Sequence, residues 1–153
     1  MPDTPDTPAG SSVASVLGFD FGTRVIGVAV GNRLSGARAL ATVNNGKEPD
    51  WQRLDALVRE WHPSDLIVGL PLSMDGGEQA MARLAREFAA TIGQRYRLPV
   101  RLVDERLTSV EASHRFAGQR ASGGARRKDA VSLDAIAASI ILENWFAQGS
   151  VDA

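Results

Sequence analysis

Three acidic residues stand where strand and helix ends can turn them toward one another: Asp20, Glu105 and Asp134. Asp20 interrupts an apolar run, LGFDFGTRVIGVAVGN, over residues 17–32, with glycines at 22, 27 and 31. Glu105 follows Asp104 at the end of the apolar stretch VRLV, and Asp134 opens the segment SLDAIAASIILENWF. Burying one uncompensated carboxylate costs on the order of several kcal/mol. Three carboxylates within a few ångströms repel one another and stay ionised together only around a cation. Hard oxygen ligands select Mg²⁺ or Mn²⁺, and two such ions about 4 Å apart serve in-line displacement at a phosphodiester.

Each acid also has a plain structural reading. Backbone N–H groups of the Gly22 turn could satisfy Asp20, Glu105 could pair with Arg106 or Arg101 at a solvated rim, and Asp134 could be a first-turn residue favoured by the helix dipole. The sequence around Asp20 contains two further motifs, the Asp-Phe-Gly of protein kinases and the Asp-x-Gly-Thr phosphate loop of actin-like ATPases. A kinase needs a Gly-rich loop and a lysine strand upstream, and only 19 residues precede Asp20. An actin-like ATPase needs two such domains, whereas 153 residues hold one.

The elements that must position these groups follow from periodicity. Residues 16–21 read as a buried strand and 25–30 as a second, joined by the short link 22–24 as a hairpin. Residues 37–43 read as a third strand before the breaker Asn44-Asn45-Gly46. Asp50 caps a helix with apolar positions Trp51, Leu54, Leu57, Val58 and Trp61, ended by Pro63. LIVGL (66–70) reads as a fully buried strand. Asp75 and Glu78 mark a helix start, with Met81, Leu84, Ala85, Phe88, Ala89 and Ile92 on one face. Another strand spans 100–103, and Thr108 with Glu111 caps a helix from about 109. The last helix runs from about 131 to 146, with Leu133, Ile136, Ala137, Ile140, Ile141 and Trp145 on one face and Asp134 rotated off it. The fold expected is α/β: a mixed five-stranded sheet, three antiparallel strands and then alternating strands and helices, flanked by helices. In such sheets ligands gather at the carboxyl ends of strands. If the strands carrying Asp20 and Glu105 are neighbours and the last helix packs across their ends, the three acids converge.

Composition narrows the function classes. The absence of cysteine excludes disulfides, thiolate metal sites and cysteine nucleophiles, and fits a cytosolic protein. No apolar run reaches the length of a membrane span. Residues 1–14 are rich in Pro, Asp, Thr and Ser and read as a disordered tail, with neither the basic start nor the apolar core of a secretion signal; residues 15–149 read as a single domain. The net charge of −1 does not suggest a nucleic-acid binder, but its distribution does. Residues 112–128 hold no acid, while Arg115, Arg120, Arg126, Arg127 and Lys128 supply five positive charges just before Asp134. Such a run is also what a solvated surface loop carries. Arg24 and Arg106 flank two of the acids and are candidates for phosphate contact or for salt bridges. His62 reads as a helix C-terminal dipole partner, and His114 is a weaker candidate for general base. Trp51, Trp61 and Trp145 fall at core spacing and do not read as base-stacking platforms.

Four segments, LGFDFGTRVIGVAVG, DLIVGLPLSMDGGEQAMARLAREFA, VRLVDERLTSVEA and SLDAIAASIILENWF, resemble the four blocks of the YqgF family, over about residues 16–149. These are RuvC-like proteins with a ribonuclease H-like fold, described as candidate pre-16S ribosomal RNA nucleases and as Holliday-junction resolvase-like proteins. VGLP…MDG and DERLT are the specific motifs; DFGT alone is not. The resemblance implies a Mg²⁺- or Mn²⁺-dependent nuclease with two ions held by Asp20, Glu105 and Asp134, acting in 5′-end maturation of ribosomal RNA in the cytoplasm. It further implies nucleic-acid partners (structured RNA, branched DNA), an association with the ribosome or its precursors, no membrane, and a monomer or homodimer. Many members carry a basic residue at the position of Val25 and an acidic one at that of Asn32. RuvC resolvases proper carry two acids on the last helix, where only Asp134 stands here. Junction cutting is therefore the second reading, and a non-catalytic nucleic-acid or ribosome-binding factor is the reading from another class.

Overall fold

The computed structural model describes residues 14–71, 80–104 and 132–149. They form five strands and three helices: β1 (Val16–Asp20), β2 (Val25–Asn32), β3 (Gly36–Asn44), α1 (Trp51–Trp61), β4 (Asp65–Leu70), α2 (Ala80–Tyr96), β5 (Val100–Asp104) and α3 (Leu133–Gly149). The sheet order is β3-β2-β1-β4-β5. β1, β2 and β3 pair antiparallel, and β4 and β5 continue from β1 in parallel. This is the mixed five-stranded α/β sheet that the sequence leads one to expect. The helix expected from about 109 and the start expected at Asp75 lie outside the described residues.

The two faces of the sheet are paved differently, and this decides which helices they take. Leu17, Phe19, Ile26, Val28, Leu66 and Val68 project to one face and form a core with Leu54 and Leu57 of α1 and Phe88 and Ile92 of α2. Phe19 meets Phe88 edge-on, with ring centroids 5.7 Å apart. The other face carries Val16, Ala29, Ile67 and Val103 against Ala138, Ile141 and Leu142 of α3. Small residues there let α3 lie close. A Cβ at Gly18 would come within 2.5 Å of the Leu142 side chain. A register shift between Val28 and Ala29 places a bulge in β3. Ala37 and Ala39 therefore face α3, while Ala41 and Val43 face the opposite core.

Helix ends follow their local chemistry. The Asp50 carboxylate accepts from the Arg53 N–H at 3.3 Å and caps α1. His62 closes α1 in the left-handed conformation (φ 46°), its N–H donating to the Val58 carbonyl at 2.9 Å. Arg95 and Tyr96 of α2 both donate to the Asp55 carboxylate of α1, at 2.7–2.8 Å, and tie the two helices together. The last helix corrects the single apolar stripe expected of it. Ala135, Ile136, Ala138, Ser139, Ile140, Ile141 and Leu142 are all buried, so the middle of α3 is enclosed nearly all round, and Leu133, expected in the core, is 46% exposed. All three tryptophans are half-buried, with arginines over their rings: Arg95 on Trp51, Arg38 on Trp61 and Arg33 on Trp145.

Candidate active site

Parallel pairing brings the carboxyl ends of β1, β4 and β5 to one edge, so Asp20, Leu70 and Asp104 end adjacent strands there. Asp20 is the last residue of β1 and pairs across the ladder with Gly27 of β2. Directly opposed residues of an antiparallel pair project from the same face. That face is the α3 face, because Val16 and Gly18, on the same parity as Asp20, both meet α3.

The first turn of α3 lies on Gly27. A Cβ at that position would come within 2.0 Å of the Asp134 carbonyl oxygen and 2.9 Å of the Ala135 nitrogen. Only glycine admits that approach, so the start of α3 sits over the residue paired with Asp20. Ser132 fixes this end as the cap: its hydroxyl accepts from the Ala135 N–H at 3.1 Å, and its carbonyl from the Ile136 N–H at 3.0 Å. Asp134 follows in the first turn, where the helix dipole favours an anion. It is exposed, and Asp20 is half-buried. The fold thus brings Asp20 and Asp134, 114 positions apart in the chain, to one corner of the sheet.

The link 22–24 is held from outside the hairpin. Asn45, buried at 7% exposure, donates its side-chain amide to the Gly22 carbonyl at 2.7 Å, and its backbone N–H to the Arg24 carbonyl at 2.9 Å. Arg24 is exposed on that link, at the same edge as Asp20. Sequence reasoning treats Asn45 only as part of a breaker and gives Gly27 no role. A buried-type Asn in a turn and a glycine inside a β-branched strand are the signals that point to them. Asp104 is exposed, and Arg101 is paired with Asp65 at 3.5 Å. Glu105, Arg106, His114, Arg115, Arg120, Arg126, Arg127 and Lys128 lie outside the described residues.

The sequence model of the RuvX family, described as Holliday junction resolvase, matches residues 14–148. The chain belongs to this family. A relative from Xylella fastidiosa (strain M23), named "Putative pre-16S rRNA nuclease", is 56% identical over 134 residues, 86% of each chain. Another of the same name, from Xanthomonas campestris pv. campestris (strain B100), is 50% identical over 143 residues, 92% of each chain. Among solved structures, T. thermophilus RuvC in complex with Holliday junction substrate is similar at a TM-score of 0.55 and 18% identity, covering 92% of this chain and 98% of that one. The RuvX-family chain therefore shares the RuvC-like fold, as the four sequence blocks lead one to expect. On α3 of this RuvX-family chain the next acid after Asp134 is Glu143, about 13 Å further along the axis at 1.5 Å per residue. No described helix is long and apolar enough to cross a membrane.

Proposed function

We propose that this protein is a Mg²⁺- or Mn²⁺-dependent nuclease that hydrolyses phosphodiester bonds in 5′-end maturation of pre-16S ribosomal RNA in the cytoplasm. One observation carries the reading: the backbone of Asp134 rests on Gly27, the ladder partner of Asp20, so two acids distant in sequence share one corner at the carboxyl edge. Membership of the RuvX family and the names of the relatives at 50–56% identity support the reaction class and the substrate.

The donor chemistry fits hard divalent cations, since carboxylate oxygens are their preferred ligands. Asp20, Glu105 and Asp134 would hold the ions. When bound, such ions supply Lewis acidity toward the phosphate and an activated water. The protein's own part is to hold and position. Asp20 is fixed by the ladder and Asp134 by the cap of α3. Arg24, on the Asn45-clamped link, would bind a substrate phosphate, and Arg106, Arg115, Arg120, Arg126, Arg127 and Lys128 would extend that contact along the strand.

The family description favours a second reading, a Holliday-junction resolvase. The test sets a structured ribosomal RNA precursor against a four-way DNA junction, each with Mg²⁺, with Mn²⁺ and with chelator, using wild type and Asp20→Asn. The proposal expects metal-dependent cleavage of the RNA that Asp20→Asn abolishes. Cleavage of the junction alone transfers the assignment to a resolvase. Tight RNA binding that survives chelation, with no cleavage under either metal, makes the protein a binding factor instead.

A further inference from the structure

Asp20 and Phe21 are consecutive, and their side chains leave the end of β1 on opposite faces. Asp20 is on the α3 face, whereas Phe21 packs on Phe88 of α2, with ring centroids 5.2 Å apart. Phe21 forms one wall of a groove of about 350 Å³ between the 22–24 link, the 45–49 segment leading into α1, and α2. Trp51 stands on another wall. Its ring is held by Nε1 donating to Glu48 at 3.2 Å and by the Arg95 guanidinium 4.5 Å over its face. Pro49, Leu84 and Phe88 add to the apolar lining. The volume takes one or two planar rings and excludes a duplex.

The polar rim selects the occupant. Lys47 is the one cation lining the groove among the described residues, against the two carboxylates Glu48 and Glu87. That balance disfavours a phosphate and suits a neutral ring bearing amino donors. Thr23 and Thr91 add hydroxyls that both donate and accept. The Thr91 hydroxyl donates to the Glu87 carbonyl at 2.9 Å, which leaves its lone pairs available to an incoming donor. Aromatic walls with mixed donors and acceptors at the rim are what an unstacked base needs.

We propose that this groove receives one unpaired nucleobase of the substrate strand, next to the phosphate held at the Asp20–Asp134 corner. This rests on the nuclease reading and narrows it, since the strand must be single-stranded or locally opened beside the scissile bond. Consecutive residues on opposite faces of one strand end would hold the phosphate and the neighbouring base on either side of the same sheet edge.

The test reads binding and not cleavage, so that failure of the nuclease reading is seen separately. Full-length protein is titrated in chelator with a single-stranded RNA carrying 2-aminopurine at successive positions. Thr91, exposed on α2 at the rim, is changed to tryptophan to fill the groove, with Leu84→Trp as a second filler and circular dichroism to check the fold of both. Stacking a base on an aromatic side chain is worth a factor on the order of ten in affinity. The expectation is quenching at one position, loss of that quench with about tenfold weaker binding in T91W, and equal binding of wild type and T91W to a strand abasic at that position. Any of three results overturns the proposal: undiminished binding by both fillers, no quench at any position, or an arginine-rich peptide that is displaced by T91W while the RNA is not.

Discussion

Gly27→Ala perturbs the proposed site through a single methyl group. The added Cβ would lie 2.0 Å from the Asp134 carbonyl oxygen and 2.3 Å from its carbon, whereas ordinary contact begins at 3.4 Å. About 1.4 Å must therefore open between β2 and the first turn of α3. Every atom in the way is backbone, so no rotamer change relieves the clash. Either α3 lifts and carries Asp134 away, or β2 yields and drags the ladder partner of Asp20. Misplacing a reacting group by about 1 Å can cost on the order of 100-fold in rate, and overpacking costs about 1–3 kcal/mol in stability. The control is Gly18→Ala, whose Cβ meets the Leu142 side chain at 2.5 Å and the Ala138 carbonyl oxygen at 3.2 Å, about one to two turns further along the same helix from Asp134. Initial rates of RNA cleavage in Mg²⁺ and thermal melts are measured on both. The expectation is a kcat about 100-fold down for G27A, with little change in KM, and a lowered Tm with near-normal kcat for G18A. Wild-type kcat in G27A, or equal losses of kcat in the two variants, refutes the argument that Gly27 sets the distance between the acids.

Three further outcomes are expected. Asn45→Ala removes a 2.7 Å bond to the Gly22 carbonyl from a buried position; it should cost about 1–3 kcal/mol in chemical denaturation and lower cleavage by loosening the link that carries Arg24. The Arg95 guanidinium, with help from the Tyr96 hydroxyl, holds the Asp55 carboxyl down at about 2. Such a folded-state value, below the unfolded one, gives stability that is present above the ordinary carboxylate range and is lost as pH falls from about 4 through about 2. Asp55→Asn should therefore lower Tm by about 1–3 °C at pH 7, the scale of a partly solvated pair, and by progressively less as pH falls through about 2. Changing Arg126, Arg127 and Lys128 together to alanine should flatten the dependence of log Kd for single-stranded RNA on log salt by about 2; an unchanged slope removes these residues from the interface.

Much of the frame was legible because it depends on local pattern. The two β-branched runs around a three-residue link predict the hairpin, LIVGL predicts a strand buried on both faces, and Asp50 ahead of Trp51, Leu54, Leu57 and Trp61 marks α1 nearly to the residue. The end of the first strand then puts Asp20 at the carboxyl edge, whereas the place of Asp134 depends on where the last helix packs. What was illegible depends on partners far away in the chain. Gly27 reads as a strand weakness until α3 is known to cross it, and Asn45 reads as a turn residue until Gly22 is known to need a donor. The last helix misleads because a stripe assumes one wet side. Its middle is enclosed, so Leu133, at the first turn beyond that enclosure, lies partly in solvent. Spacing alone places the tryptophans in the core, but it does not show that each keeps a face for an arginine.

Anomalous diffraction from crystals soaked in Mn²⁺ tests whether Asp20 and Asp134 share a metal ion. Manganese peaks are expected about 2.0–2.3 Å from carboxylate oxygens of both Asp20 and Asp134, with Glu105 in the same cluster, and are expected to be lost in Asp20→Asn. Manganese bound elsewhere while that corner stays empty, in crystals of protein that cleaves RNA, would contradict a shared site.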